Sequence, residues 1–285
     1  MDSNPLVSAA ERIRRADAIL ISAGAGMGVD SGLPDFRGPE GFWRAYPALR
    51  GLRFEEMSTP SWFHIDQTRA WGFFGHRLEL YRRTHPHIGF EILLRLIKKV
   101  PLGGFVVTSN VDGQFQKAGF DDQAILEVHG TIHQLQCTRP CCEDITSYDT
   151  WTPDIDEANV RCLNEPPLCA RCGRIARPNI LMFNDGQWLS HRSDEQAGRF
   201  QTWLQLATDS NLVVIELGAG KAVTTIRSLS ESLLRAGRQS TQKDRSVTLI
   251  RINPRDPDGP PGCVSISAGA LEALTQLDHI LCHSS

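Results

Sequence analysis

The sequence predicts an α/β fold, in which a doubly wound parallel sheet carries a smaller inserted domain, and two observations support this. Short apolar runs alternate along most of the chain with segments of helical periodicity, a pattern typical of a parallel sheet covered by helices on both faces. In the middle of the chain, six cysteines fall between Cys137 and Cys172, which indicates a small metal-binding unit outside the sheet.

The alternation also places the individual elements. We predict strands in the apolar runs AILIS (residues 18–22), GFVVTSN (104–110), AILEV (124–128), NILMF (179–183), NLVVIELG (211–218), SVTLIRIN (246–253) and CVSIS (263–267). Helical periodicity predicts helices over residues 8–15, 60–83, 88–99, 194–206, 222–235 and 268–281. The segment 60–83 is rich in aromatic residues, so we expect it to form the core of a small helical module.

Composition limits the classes of protein to consider. The chain has 285 residues and a formal net charge of -3, which gives no general attraction to nucleic acid. No apolar run approaches the ~20 residues of a membrane span, and the N-terminal segment lacks the pattern of a secretory signal. Clustered cysteines then favour metal-bound thiolates over disulfides. We therefore expect a cytoplasmic protein, of bacterial type because arginine dominates its basic residues, with no nucleic-acid or membrane partner.

The stretch SAGAGMGVDSGLPDFRG (residues 22–38) follows the first predicted strand. Gly24, Gly26 and Gly28 form a G-x-G-x-G turn, whereas a dinucleotide fingerprint needs its third glycine at the position of Val29. An ordinary nicotinamide dehydrogenase is therefore not favoured. A plain glycine-rich turn and a phosphate site at the start of a following helix both fit this stretch.

Other candidate residues stand where predicted strands end. In parallel α/β sheets, ligands bind at the carboxyl ends of the strands. The residues at those ends are Gly24, Gly26, Asn110, Asp112, His129, Gly218, Gly220 and Asn253. We expect them to lie around one ligand site.

The cysteines indicate a zinc site. Cys169 and Cys172 have the spacing of a zinc knuckle, and Cys137 supplies the first half of the site together with Cys141 or Cys142. Four thiolates complete a tetrahedral coordination and leave no position for water, so the metal has a structural role. The preferred ligands are Cys137, Cys141, Cys169 and Cys172, with Cys162 left over.

Taken together, the motifs resemble those of one family. The segments GAGMGVDSGLPDFRG, TSNVDGQFQKAG, EVHGTIHQLQC and RPNILMF, in this order and with the two cysteine pairs, resemble the sirtuins, which are NAD-dependent protein lysine deacylases. The resemblance spans residues 18 to about 281. It implies that an acyl group moves from a lysine of a protein or peptide to the ADP-ribose of NAD, the co-substrate, while nicotinamide is released.

The resemblance also implies a domain organisation and a set of site residues. A Rossmann-like NAD-binding domain would comprise residues 1–37, 86–136 and 178–285, and a helical module (38–85) and a zinc module (137–177) would form the small domain. The implied catalytic residues are His129, as general base, Asn110 and Asp112. The implied NAD-binding residues are Gly24, Ala25, Gly26, Asp35, Phe36, Arg37, Ser109, Asn110, Asp112, His129, Gly218, Ala219 and Asn253. The implied substrate-binding residues are Phe74, Arg77, Leu181, Met182 and Phe183.

The chain departs from the family's pattern at several positions, and the departures at Ser109, Ala219 and Gly220 remove side chains that bind NAD. The family has Thr at Ala23, Ser at Gly28, Gln at Ser109, Thr-Ser at Ala219-Gly220 and Gly-Glu at Asn184-Asp185. Each lost hydrogen bond to NAD is worth about 0.5–1.5 kcal/mol. We therefore expect weaker NAD binding, with catalysis retained because His129, Asn110 and Asp112 are present.

Acyl preference and the type of reaction have alternatives. Family members that prefer succinyl or malonyl lysine carry Tyr-x-x-Arg in the helical module, where this chain has Phe74 and Arg77. Arg77 either meets an acyl carboxylate or is a solvated helix residue. ADP-ribosyl transfer and NAD hydrolysis use the same NAD site. A non-catalytic NAD-binding or zinc-scaffold protein would not need the base His129.

Overall fold

The computed structural model of the chain describes residues 4–35, 38–239 and 245–283. The predicted NAD-binding residues Phe36 and Arg37 lie outside the described residues. The α-helices are α1 (Pro5–Arg14), α2 (Gly38–Ala45), α3 (Phe54–Met57), α4 (Trp62–Ile65), α5 (Gln67–Arg83), α6 (Ile88–Ile97), α7 (Gln114–Lys117), α8 (His191–Ala207), α9 (Thr225–Gln239) and α10 (Ala270–His283). Short 3₁₀ helices cover Ala25–Ser31, Pro47–Leu49 and Asp122–Ala124. None of the described helices has the length and apolar character that a membrane span requires.

The strands form one large and two small sheets. Their bounds are β1 (Ala18–Ala23), β2 (Gly104–Thr108), β3 (Ile125–Glu127), β4 (Gly130–Cys137), β5 (Thr146–Ser147), β6 (Ile155–Asp156), β7 (Arg161–Cys162), β8 (Ala176–Ile180), β9 (Asn211–Leu217), β10 (Ser246–Ile252) and β11 (Val264–Ile266). The small sheets are antiparallel and have the orders β5-β4-β8 and β6-β7.

The main sheet has six parallel strands in the order β11-β10-β9-β1-β2-β3. All residues of the central strand β1 are buried, as expected for a strand covered on both faces. The predicted doubly wound parallel sheet is confirmed. The direction of winding changes between β1 and β9, which is where such sheets open a crevice for ligands.

The period of two along β1 divides its side chains between two cores. Ile19 and Ile21 belong to the core shared with α1, α6 and α10, whereas Ala18 and Leu20 belong to the core shared with α8 and α9. Helices therefore cover both faces, and the carboxyl ends of the strands are left at one edge of the sheet.

A third hydrophobic core lies outside the sheet and joins α2–α5 to β4 and β8. Large aromatic side chains fill it, among them Phe63, Trp71 and Phe73. The β6-β7 hairpin approaches α5 so closely that a Cβ on Gly72 would lie 2.2 Å from the carbonyl oxygen of Val160. Val160 has a φ of 54°, a left-handed conformation that β-branched residues rarely adopt.

Most predicted elements differ from the structure by a few residues at their ends, and two differ in a way that affects the site. The helix predicted over residues 60–83 is interrupted at Asp66, whose carboxylate caps α5 by accepting a hydrogen bond from the N–H of Arg69. The strand predicted over 179–183 ends at Ile180. Beyond the strand, one further hydrogen bond joins the N–H of Leu181 to the carbonyl of His129 at 2.9 Å.

Candidate active site

A cavity of about 400 Å³ opens at the carboxyl ends of β1, β2, β3 and β9, and residues of α3 and α5 bound its other side. The predicted site residues that line it are Gly24, Ala25, Asp35, Arg77, Ser109, Asn110, Asp112, His129, Leu181, Met182, Phe183, Gly218 and Ala219. Three predicted residues of the described chain, Gly26, Phe74 and Asn253, are outside this lining.

One end of the cavity consists of two glycine-rich loops in direct backbone contact. The N–H of Gly26 donates to the carbonyl of Gly218 at 3.1 Å. A Cβ on Gly26 would lie 2.6 Å from the Cα of Gly218, and a Cβ on Gly24 would lie 2.8 Å from the Cα of Ala219. Side chains are therefore excluded at Gly24 and Gly26, so backbone groups form this wall.

Two asparagines hold these loops in place. The Asn110 amide donates to the carbonyl of Gly24 at 3.1 Å. Asn253 is fully buried, donates to the carbonyl of Ala219 at 2.9 Å and accepts from the N–H groups of Arg255 and Asp256. Asn253 thus supports the second loop from behind, and its side-chain groups are already used within the protein.

Asp112 is a buried acid at the floor of the cavity. One carboxylate oxygen accepts from the N–H of Gln114 at 2.9 Å, and the His133 ring donates to the Asp112 carbonyl at 2.9 Å. Burial raises the pKa of Asp112 to about 6, and the charge of Glu127 acts in the same direction. The carboxylate is therefore ionised at neutral pH and has acceptor capacity left for a ligand.

His129 follows β3 and faces the same cavity. Burial lowers the pKa of His129 below its ordinary value, and a hydrogen bond to the backbone of Ser109 acts in the opposite direction. The imidazole is therefore neutral at pH 7, which is the state that accepts a proton.

The opposite end of the cavity is built from side chains of the helical segments. Arg77 is only 6% exposed, so the interpretation of it as a solvated helix residue is wrong. Its Nε and Nη2 donate to the Tyr81 hydroxyl at 3.1 and 2.9 Å. The guanidinium carbon also lies 5.3–5.8 Å from the ring centroids of Phe54, Phe73, Phe74 and Tyr81. The cavity thus contains a cation surrounded by aromatic rings.

Phe74, predicted as a substrate-binding residue, is not part of the cavity lining, although its ring lies 5.8 Å from the Arg77 guanidinium. It is fully buried and stacks on Phe63 with ring centroids 5.6 Å apart and an interplanar angle of 24°. Tyr81, which the sequence analysis missed, lines the cavity in its place. The i,i+4 spacing of Arg77 and Tyr81 on one helix face was the signal that could have identified it.

Other lining residues were also missed. Phe54, Glu55 and Ser58 lie in or beside α3, and Leu33 and Pro34 follow the glycine turn. Their segments have no strong periodicity, so local sequence gave no sign that they approach the sheet edge.

The four preferred cysteines lie together at the tip of the β4-β8 sheet. Their sulfur atoms are all within 4.8 Å of one another, with 3.7 Å between Cys137 and Cys172 and 3.7 Å between Cys141 and Cys169. A zinc ion with four thiolates at ~2.3 Å requires sulfur separations of about 3.8 Å in a tetrahedron. The set therefore fits one closed structural zinc. Cys142 lies beside the cluster, its sulfur 3.9 Å from that of Cys141, but is not part of it.

Family comparison gives a match that covers more than half of the chain. The model of the Sir2 family matches residues 24–214, a stretch that includes the glycine turn, His129 and the four cysteines. The chain belongs to the Sir2 family. The resemblance to sirtuins inferred from the motifs is thereby confirmed.

Curated relatives of this Sir2-family chain are named NAD-dependent protein deacylases. The protein from Aquifex aeolicus is 30% identical over 167 residues, which cover 59% of this chain and 62% of that protein. The protein from Pyrococcus furiosus is 30% identical over 173 residues, with 61% and 63% covered. The chain thus matches less than two thirds of either relative. A Thermus thermophilus protein is 27% identical over 276 residues, with 95% and 93% covered.

Solved structures of Sir2 homologues have the same fold. One bound to NAD aligns with a TM-score of 0.72 at 23% identity, over 97% of this chain and 94% of the other. A mutant homologue bound to ADP-ribose aligns with a TM-score of 0.71 at 23% identity, over 100% and 98%. At these identities the likeness shows the Sir2 fold.

Proposed function

We propose that this Sir2-family protein is an NAD-dependent protein lysine deacylase, which transfers the acyl group of a lysine to ADP-ribose and releases nicotinamide. The position of His129 is the observation that supports it most. A half-buried, neutral imidazole faces a cavity that has glycine loops at one end and the segment 181–183 beside it. A site that only held a nucleotide would need no base at this position.

The glycine loops are the proposed site of the NAD phosphates. Gly24–Gly26 and Gly218–Gly220 let the backbone approach a pyrophosphate closely, as no Cβ is in the way at their glycines. NAD supplies the ribose carbon from which nicotinamide leaves. Asp112 would accept a hydrogen bond from the nicotinamide carboxamide, and Asn110 lines the same pocket while fixing Gly24.

His129 would act as the general base. It would take a proton from a ribose hydroxyl, and the hydrogen bond to the Ser109 backbone fixes the direction of the ring. The lysine side of the site is the segment 181–183, on which the peptide would pair, with Arg77 and Tyr81 deeper in the cavity. We propose that these two residues admit a succinyl carboxylate as a weak alternative to acetyl and longer apolar acyl groups.

The four cysteines would hold one structural zinc, which supplies folding energy to the small part of the molecule. The proposed substrate is an acyl-lysine protein or peptide in the cytoplasm, where thiolate ligands stay reduced. Neither nucleic acid nor membrane is proposed as a partner. The division into an NAD-binding domain and a small domain, with the bounds given above, remains a prediction.

The proposal is tested by incubating the protein with NAD and one peptide that carries acetyl-, butyryl- or succinyl-lysine. Mass spectrometry of both products should show free lysine and acyl-ADP-ribose in equal amounts, formed only with the acylated peptide. Nicotinamide release without peptide would instead identify an NAD hydrolase. A gain of ADP-ribose mass on protein would identify an ADP-ribosyltransferase. The absence of any turnover would contradict all three activities, including the proposed deacylase.

A further inference from the structure

Arg177 and Asp185, which the proposed mechanism does not use, form a buried ion pair next to the segment 181–183. Arg177 on β8 and Asp185 are both 0% exposed at their side chains, and their two hydrogen bonds measure 2.6 and 2.9 Å. Burying such a pair is often no more stabilising than apolar residues of the same volume. The Nε of Arg177 has no hydrogen-bond partner within the described chain, which is a further penalty. Stability alone therefore explains this pair poorly.

The Asp185 carboxylate also organises the chain around itself. Its Oδ2 accepts from the N–H of Met182 at 3.3 Å, and its Oδ1 accepts from the N–H of Gln187 at 3.1 Å. Between them, Asn184 has a φ of 56°, which tightens the turn. One carboxylate thus joins both sides of the turn 182–187 and anchors it to β8 through Arg177.

The segment 181–183 leads into that turn. Two further backbone hydrogen bonds hold the segment in place. The Leu181 N–H donates to the carbonyl of His129 at 2.9 Å, and the Phe183 N–H donates to the carbonyl of Ser58 at 2.9 Å. The two ends are therefore fixed to the proposed base and to the helical module. The middle residue, Met182, is fixed by Asp185.

We propose that Asp185 is a positioning residue for the acyl-peptide substrate. Held by Arg177, it keeps segment 181–183 in the shape on which the peptide pairs, and it sets peptide affinity without contributing to NAD affinity. This inference rests on the proposed function. Asp185 is outside the described cavity lining and therefore acts through the segment rather than on the substrate.

The test compares Asp185→Asn, which keeps the shape but removes the charge, with Asp185→Glu, which keeps the charge and adds a methylene. Asp66→Asn is the matched control. Like Asp185, Asp66 binds an arginine, Arg161, through contacts of 2.9 and 3.2 Å and accepts a hydrogen bond from a backbone N–H. Unlike Asp185, it lies at the start of α5. Each variant is measured for peptide KM, for NAD affinity by calorimetry, and for Tm.

Misplacement of a binding segment by about 1 Å is worth up to roughly 100-fold. We expect Asp185→Asn to raise peptide KM by roughly 10- to 100-fold, while NAD affinity stays within about twofold of wild type. Asp185→Glu should show a smaller rise. Asp66→Asn should lower Tm and leave peptide KM unchanged.

A lower Tm with unchanged peptide KM in the Asp185 variants would overturn the inference and leave the pair a fold support only. If Asp185→Asn does not fold, Asp185→Glu decides by the same criterion. Equal weakening of peptide and NAD binding would also overturn it. The proposed function fails separately: in that case wild type neither binds the acyl-peptide nor turns it over.

Discussion

The two ends of the cavity are built in opposite ways. The end at the sheet consists of backbone, where glycines in two loops touch and asparagines hold the loops from the side. The end at the helical segments consists of side chains, where Arg77 lies among aromatic rings and donates to Tyr81. A wall of backbone tolerates the loss of polar side chains, whereas a wall of side chains changes its preference with each substitution.

This difference bears on the departures from the family's NAD-binding motifs. Ala219 and Gly220 lack the hydroxyl groups that the family has there, yet the loop is still held by Asn253 and by its contact with Gly26. We therefore expect NAD binding to be weakened by the individual missing hydrogen bonds rather than by a collapse of the loop. Five predictions test this contrast, from the largest expected effect to the smallest.

The largest effect should come from the zinc cluster, whose member Cys137 ends β4, a strand of the core that also contains α5. Cys141→Ser removes one of four thiolates, and structural zinc in small domains contributes apparent binding free energies of about 10–16 kcal/mol. We expect loss of the single zinc per chain, a lower Tm and loss of peptide turnover. Metal analysis, thermal unfolding and the peptide assay measure these three quantities. Cys142→Ser is the control and should keep its zinc; the reverse result would assign Cys142 as the ligand.

Removing the proposed base should stop chemistry while sparing both walls. His129→Ala should lower kcat/KM by roughly 100- to 10,000-fold, the usual worth of a general base. NAD affinity by calorimetry should stay near wild type. His279→Ala, at an exposed position on α10, serves as control and should have no effect. Turnover near the wild-type rate in His129→Ala would show that the imidazole is structural.

At the side-chain end, Arg77→Ala should act on one acyl group more than on the others. A guanidinium paired with a succinyl carboxylate is worth about 1.5–3 kcal/mol. We expect the activation free energy obtained from kcat/KM to rise by that amount for the succinyl-lysine peptide, relative to the acetyl- and butyryl-lysine peptides. Tyr81→Phe removes the hydroxyl and should produce a smaller shift of the same kind. An equal loss on all three peptides would mean that Arg77 only supports the fold.

At the backbone end, Gly26→Ala should weaken NAD binding because the new Cβ would meet Gly218 at 2.6 Å. Overpacking of this kind costs about 1–3 kcal/mol. The matched control is Gly198→Ala on α8, outside the cavity lining, where a Cβ would also meet nothing within 4 Å. Calorimetry with NAD measures both. Equal affinities in the two variants would show that close loop contact is not what forms the NAD site.

The smallest effect concerns pH and Asp112. As pH falls through about 6, the carboxylate takes up a proton, so nicotinamide release should decline. The pKa is raised in the folded state, so between the unfolded value and about 6 the native state binds more protons than the unfolded one. Its contribution to stability therefore falls as pH rises through that window. Activity and the contribution of Asp112 to stability should change in opposite directions there, and Asp112→Asn should remove that contribution. A pH profile of Tm unchanged by Asp112→Asn would contradict the raised pKa.

The same contrast explains which parts of the structure could be predicted from the sequence. Strand period and burial in β1, and the alternation of strands with helices, sufficed to predict the sheet and therefore the positions of Gly24, Asp112 and His129 at one edge. Cysteine spacing predicted the zinc cluster except for the choice between Cys141 and Cys142, and the structure groups Cys141 with the other three cysteines. The interior of the helical part did not follow, because motif spacing does not say which face of α5 turns to the cavity. Phe74 was assigned to the site, but it packs on Phe63, and the cavity takes Tyr81 instead.

The close fit of Gly72 against Val160 has a consequence for exchanging parts between relatives. The hairpin of β6 and β7 packs directly against α5, the helix that carries Arg77 and Tyr81, and leaves no room for a Cβ at Gly72. At the point of contact, Val160 of the hairpin has a left-handed backbone conformation. These two segments therefore have to be exchanged together. A chimera that transplants α5 alone, to transfer acyl preference, should misfold unless the hairpin travels with it.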